Sequence, residues 1–96
     1  MKEFNINSSI NVKLTETGMA ILRNRHNELQ QKFPAVGEFK APEVDENGYC
    51  SFQLWELMQV FGNYMYMGNN NLPFETTIAI SDEYLVEQTN EKGRSL

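Results

Sequence analysis

The chain has 96 residues, of which 41% are hydrophobic, which fits one small folded domain with a single core and excludes a disordered chain. The net charge is −5, and residues 41–91 hold nine carboxylates without any lysine or arginine, a pattern that disfavours duplex nucleic acid and favours either basic protein partners or simple solubility. The single cysteine excludes an internal disulfide, and because neither a signal peptide nor a membrane-spanning run is evident, we expect a cytoplasmic protein without membrane contact.

A strand followed by a helix is predicted in the first third of the chain. Residues 1–8 show no pattern and are expected to be flexible, whereas residues 10–14 alternate apolar and polar side chains, as a half-buried strand does. Thr15 is the expected N-cap of the first helix, and Pro34 ends it. The apolar stripe of this helix contains residues spaced three and four apart: Met19, Leu22, His26, Leu29 and Phe33.

The centre of the chain predicts a long loop and an unusually apolar helix. Residues 34–50 form a connection that is longer than usual, so it is either functional or contains a short hairpin. The run Phe52–Met67, FQLWELMQVFGNYMYM, predicts the second helix, whose polar stripe is narrow. This helix is therefore either enclosed in the core or shares one side, that of Trp55 or Tyr66, with a second chain or with the 34–50 loop.

A second strand is predicted at residues 74–80, FETTIAI, where the residues alternate again. The expected fold is α+β, a small single domain over residues 9–81 with two helices packed on a short antiparallel sheet, in the order strand, helix, long loop, helix, strand. Residues 82–96 are predicted to be a polar C-terminal tail. Two strands alone make a marginal sheet, so a homo-oligomer is expected unless the loop supplies further strands.

No catalytic, metal or cofactor site is predicted. The stretch Glu43–Leu54, EVDENGYCSFQL, covers half of a calcium-binding EF-hand loop, but Leu54 stands where that loop needs a bidentate glutamate. An acidic turn that caps a helix explains the same residues. His26 lies on an apolar stripe without a visible nucleophile or carboxylate, and Cys50 has no neighbouring cation to lower its pKa.

Three segments carry a family resemblance: VKLTETG, DENGYCSFQLWELMQVFGNYMYMG and FETTIAI. Together they resemble short uncharacterised proteins encoded by bacteriophages of Gram-positive bacteria, with GY-x-x-FQLWELM-x-x-FG as the most distinctive part. The resemblance covers roughly residues 10–80. It implies a phage accessory protein that works in the cytoplasm of the bacterial host, and it assigns no site residues.

The leading functional hypothesis is a non-enzymatic binding protein that antagonises a bacterial defence component through protein–protein contacts. One alternative is an oligomeric sponge for a nucleotide immune signal. In it, Arg23 or Arg25 converges on one pocket with an aromatic such as Tyr49, Tyr64 or Tyr66, either within one chain or across a subunit boundary. A second alternative is a regulatory or structural accessory of the phage. The cations at residues 23, 25, 32 and 40 form a patch too small for a duplex but sufficient for one compact phosphate ligand. The candidate binding residues are Arg23, Arg25, Tyr49, Trp55, Tyr64 and Tyr66.

Overall fold

The computed structural model of the protein describes residues 1–87 and confirms the α+β fold class. Two helices are formed, α1 (Glu16–Lys32) and α2 (Leu54–Phe61), and single turns of 3-10 helix occur at Pro34–Val36, Gly62–Tyr64 and Asp82–Tyr84. The four strands are β1 (Lys2–Phe4), β2 (Ser9–Val12), β3 (Cys50–Gln53) and β4 (Leu85–Glu87), arranged as two antiparallel pairs. Among residues 1–87, no helix combines the length and apolar character that a membrane crossing requires.

Strand β2 lies at the centre of the main sheet, within the region where alternation predicts a strand. On one side it pairs with β3, so that Ile10 lies opposite Phe52 and Val12 lies opposite Cys50. On the other side Asn11 exchanges two backbone hydrogen bonds of 2.8 Å with Ala79. Because alternate residues of a strand point to the same face, Ile10 and Val12 are both fully buried.

The predicted second strand at residues 74–80 is not continuous. Phe74 bridges Leu14, and Ala79 bridges Asn11. From Asn11 in β2 to Leu14 just beyond it the chain advances three residues, whereas its neighbour advances five from Phe74 to Ala79. Two extra residues of the neighbour are therefore left without partners in the ladder. The segment therefore lies along β2 as a bulged edge, and Ile78 and Ile80 are exposed.

The predicted helix at Phe52–Met67 is wrong at both ends. Phe52 belongs to β3, because pairing with β2 satisfies its backbone groups, and α2 begins only at Leu54. The helix ends at Phe61, and one 3-10 turn continues it to Tyr64. Tertiary pairing thus overrides an apolar periodicity that by itself favours a longer helix.

The core lies between the β2–β3 pair and the inner face of α2. Its centre is Phe61, which is fully buried and packs edge-on against Phe52 at 6.1 Å and against Phe74 at 5.9 Å between ring centroids. The buried hydrophobic residues are Ile10, Val12, Cys50, Leu57, Phe61 and Phe74.

The two ends of the described chain pair with each other. Strands β1 and β4 are antiparallel, with Lys2 opposite Glu87 and Phe4 opposite Leu85. The structure therefore places a strand in the segment expected to be flexible and another in the segment expected to be a polar tail. The rest of that predicted tail, residues 88–96, lies outside the described residues.

Candidate functional site

A groove of about 570 Å³ separates α1 from the loop that follows it, and α2 and β3 close its base. This volume falls within the usual range for small-molecule sites. Its apolar surface comes from every element around it: Leu22, Leu29, Phe39, Pro42, Phe52 and Val60. We call this feature the basic groove because of the cations described next.

Three cationic side chains line the basic groove from two sides. Arg25 and Lys32 are seven residues apart on α1, which places them on one face, about 10 Å apart along the helix axis. Lys40 comes from the opposite wall. None of the three forms an ion pair with a carboxylate of residues 1–87. Two carboxylates, Glu28 and Glu56, also line the groove, so positive charge is in modest excess.

The wall of the basic groove is attached to α1 through His26 and Phe39. The Nε2 of His26 lies 2.8 Å from the carbonyl oxygen of Gly37, and its ring packs edge-on against Phe39 with 5.7 Å between centroids. The guanidinium of Arg23 lies 5.5 Å from the centre of the same phenyl ring. His26 is therefore a satisfied, half-buried histidine that holds the loop, and this agrees with its place on the apolar stripe.

The outer side of α2 and the segment after it carry a second feature, which we call the aromatic face. Leu57 and Phe61 are buried, and because successive helical residues are about 100° apart, Trp55 and Met58 lie on the outward side. Trp55 is 41% exposed and Met58 is 52% exposed. We group under this name the six exposed large hydrophobic residues of positions 55–67: Trp55, Met58, Tyr64, Met65, Tyr66 and Met67.

A hydrogen-bonded turn holds the second half of the aromatic face. The side-chain amide of Asn69 donates to the carbonyl of Tyr64 at 2.6 Å, and its backbone N–H donates to the carbonyl of Tyr66 at 3.2 Å. Gly68 has a φ of 91°, a left-handed conformation that suits glycine. The exposed Tyr66, at 63%, is thus presented on a backbone with defined local bonds.

The acidic segment Glu43–Leu54 does not form an EF-hand loop. The Oδ1 of Asp45 accepts hydrogen bonds from the backbone N–H of Asn47 (2.8 Å) and Tyr49 (2.9 Å), so the carboxylate closes a tight turn. The turn precedes strand β3, which corrects the expectation that it caps a helix. Within residues 1–87, no group of three or more histidine, cysteine or acidic side chains is placed to hold a metal ion.

Cys50 is a core residue in β3. Its thiol donates to the carbonyl of Val12 at 3.4 Å, and burial raises the pKa of the thiol above its ordinary value of 9.0. A buried thiol of this kind is neutral at physiological pH and is a poor nucleophile.

The structure separates the six candidate binding residues into different places. Arg25 lines the basic groove, and Arg23 packs on the groove wall at Phe39. Trp55, Tyr64 and Tyr66 belong to the aromatic face, and Tyr49 lies under the ammonium of Lys13 at 5.0 Å. Among residues 1–87, the groove that Arg25 lines contains the phenyl rings of Phe39 and Phe52 and none of these tyrosines. A meeting of an arginine and a tyrosine across a subunit boundary stays a prediction.

Comparison of the chain with known protein families, curated proteins and solved structures finds no match. The resemblance to bacteriophage proteins therefore stays a prediction from residues 10–80. Functional inference depends on the chemistry of the aromatic face and of the basic groove.

Proposed function

We propose that this chain is a non-enzymatic phage accessory protein that antagonises a bacterial defence component through protein–protein contacts made by the aromatic face. The observation that carries the proposal is a comparison of exposed and buried side chains. Six large apolar side chains are exposed within residues 55–67, as many as the hydrophobic side chains buried in the whole core of residues 1–87. Such concentrated exposure is typical of a surface that binds another macromolecule.

The residue types of the aromatic face support protein binding. Tryptophan and tyrosine are enriched among the residues that dominate interface energies, because they bury a large area with few rotatable bonds. Methionine adapts its shape to irregular partner surfaces. Trp55 and Tyr66 are the expected anchors, and Met58, Met65 and Met67 are the expected adaptable contacts.

The charge around the aromatic face defines the chemistry of the partner. Residues 41–87 contain eight carboxylates and no lysine or arginine, and Glu56 lies on α2 between Trp55 and Met58. A partner that accepts these side chains therefore needs an apolar cleft surrounded by basic residues, since like charges at an interface oppose binding. The bacterial setting depends on the resemblance to bacteriophage proteins alone.

A plating assay tests the proposal directly. The full chain is expressed in bacteria that carry one defence system at a time, and plating of a sensitive phage is measured. The wild-type chain is expected to restore plating against at least one system, and the defence component it blocks is then tested for direct binding. Substituting both anchors, Trp55→Ser with Tyr66→Ser, is expected to weaken that binding about a hundredfold. Each anchor that is lost from an interface costs roughly a factor of ten in affinity.

The matched control changes two exposed apolar residues elsewhere, Phe33→Ser with Val36→Ser, and is expected to retain antagonism. Failure of the wild-type chain against every system contradicts the defence hypothesis. Unchanged binding by the anchor variant contradicts the assignment of the aromatic face.

Two further outcomes favour other functions. If the anchor variant loses self-association but retains antagonism, the aromatic face joins copies of this chain. Recovery of the chain in purified virions favours a structural accessory of the phage.

A further inference from the structure

We propose that the basic groove binds a phosphorylated nucleoside, at a site separate from the aromatic face and beyond the function proposed above. The groove has walls from α1 and the following loop and a base from β3 and α2. The inference depends on three properties that coincide there: a modest excess of positive charge, apolar rings, and carboxylates that accept hydrogen bonds.

Most lysines and arginines of residues 1–87 lie at this groove. Residues 1–87 contain six lysines and arginines, although the whole chain has a net charge of −5. Arg25, Lys32 and Lys40 line the groove, and Arg23 packs on its wall, so four of the six cations lie at one place. Arginine and lysine donate charge-assisted hydrogen bonds to phosphate oxygens, and at this groove they have no carboxylate partner in residues 1–87.

The apolar rings and the two carboxylates distinguish a nucleotide from a simple anion. Phe39 and Phe52 contribute aromatic rings, and a planar base binds well against such apolar surface. Glu28 and Glu56 repel a bare phosphate, but they can accept hydrogen bonds from ribose hydroxyls or from the amino group of a base. A ligand that combines a phosphate with an uncharged, donor-bearing base has a partner for each of these groups among the lining side chains.

The sponge hypothesis from the sequence expects the nucleotide to contact an arginine and an aromatic such as a tyrosine. For the basic groove we assign the phosphate to Arg25, Lys32 and Lys40 and the base to the rings of Phe39 and Phe52. Because the ligand contacts both α1 and the loop after it, binding is expected to raise the melting temperature as well as to give heat in calorimetry.

Calorimetry with the full chain in low-salt buffer tests the inference. The probes are ATP, AMP and cyclic di-AMP, together with the two parts of a nucleotide, adenosine and inorganic pyrophosphate. At least one nucleotide is expected to bind about tenfold or more tightly than either part alone. Lys32→Gln with Lys40→Gln is expected to weaken binding at least about tenfold, because each lost charged hydrogen bond costs roughly that factor.

The charge-matched control is Lys2→Gln with Lys13→Gln, which removes two cations outside the groove and is expected to change affinity by less than about twofold. Amide and indole NMR signals of the wild-type chain are a second measurement that needs no variant, and shifts are expected in α1 and residues 37–42 but not at Trp55. Absence of binding by all nucleotides, equal weakening in both variant pairs, pyrophosphate binding as tight as that of the nucleotide, or shifts confined to Trp55 would each overturn the inference.

Discussion

The two ends of helix α1 are held in different ways. At its start, Thr15 caps the helix through a 3.2 Å hydrogen bond from Gly18, donates its hydroxyl hydrogen to the Leu72 carbonyl at 2.5 Å, and donates its backbone N–H to the Pro73 carbonyl at 3.0 Å. At the other end Leu29 is exposed, and the contacts of His26 and Phe39 attach the adjoining loop. The first end has no room for another atom, whereas the second opens onto the basic groove, so stability and ligand binding are expected to depend on different residues.

The largest expected effect comes from Gly18→Ala. A Cβ at this position would lie 2.0 Å from the carbonyl oxygen of Pro73, so residues 72–74 must move and the hydrogen bonds of Thr15 must lengthen or break. Overpacking together with these lost bonds is expected to lower the free energy of unfolding by about 3 kcal/mol or more. Urea denaturation followed by circular dichroism measures this change.

Gly62→Ala is the matched control for Gly18→Ala. Gly62 has a helical φ of −55°, and an added Cβ meets nothing within 4 Å. It is expected to leave stability unchanged or to raise it by up to about 1 kcal/mol, since alanine restricts the unfolded chain. Equal losses in the two variants would contradict the close approach of α1 to Pro73.

A smaller loss is expected from Thr15→Ala. The variant removes the cap of Gly18 and the hydrogen bond to Leu72 but creates no steric overlap, so a loss of about 1–2 kcal/mol is expected. Thr17→Ala is a suitable control, because it removes the same atoms two residues after the cap, at a position that does not cap the helix. A Thr15→Ala loss no larger than that of Thr17→Ala, measured by the same denaturation, would show that the cap contributes nothing specific.

At the other end of α1, Phe39→Ala is expected to cost only about 1 kcal/mol. Phe39 is half-buried, and its contacts are the ring of His26 and the guanidinium of Arg23, each of modest energy. The expected larger effect is on the groove, where loss of the ring should weaken nucleotide binding. The comparison between the two ends fails if Phe39→Ala destabilises the chain as strongly as Gly18→Ala does.

The parts of the fold that local pattern determines could be predicted from the sequence. Alternation identifies the half-buried strand, and Thr15 and Pro34 mark the start of α1 and the break after it. The end of β3 could not be predicted, because Phe52 and Gln53 continue the periodicity of the predicted helix. They become strand residues only by pairing with Ile10 and Ser9. Pairing between β1 and β4 joins residues more than 80 apart, and no local pattern indicates it.

The candidate sites also differ in how far the sequence predicts them. Exposure of Trp55 and Tyr66 follows from the excess of apolar positions over available partners, which can be counted in the sequence. The basic groove was only partly visible, because Arg25 and Lys32 share a helix face by their spacing of seven, whereas Lys40, Phe39 and Phe52 reach it through loop and sheet geometry. Tertiary placement therefore decides which aromatic rings share the groove with Arg25, and these are the phenylalanines at positions 39 and 52.

The smallest expected effect is on the rate at which the Cys50 thiol is alkylated. Because this thiol is buried in the core, its alkylation measures how often the core unfolds. Its thiol is buried against the carbonyl of Val12, so alkylation in native buffer is expected to be slow and to require unfolding of the core. Phe39→Ala, which loosens only the groove, should leave the alkylation rate close to that of the wild type. Gly18→Ala should raise it, because the core then unfolds more often.

The pH dependence of the free energy of unfolding tests the burial of the Cys50 thiol without an alkylating reagent. Burial raises the pKa of the folded Cys50 thiol, so the folded state keeps its proton at pH values where the unfolded state has lost it. The contribution of Cys50 to stability is therefore complete below the unfolded pKa near 9.0 and declines as the pH rises through and above it. Cys50→Ala is expected to remove this alkaline decline. If the decline persists in Cys50→Ala, it belongs to another group, and Cys50 alkylation then remains the measure that separates core unfolding from opening of the groove.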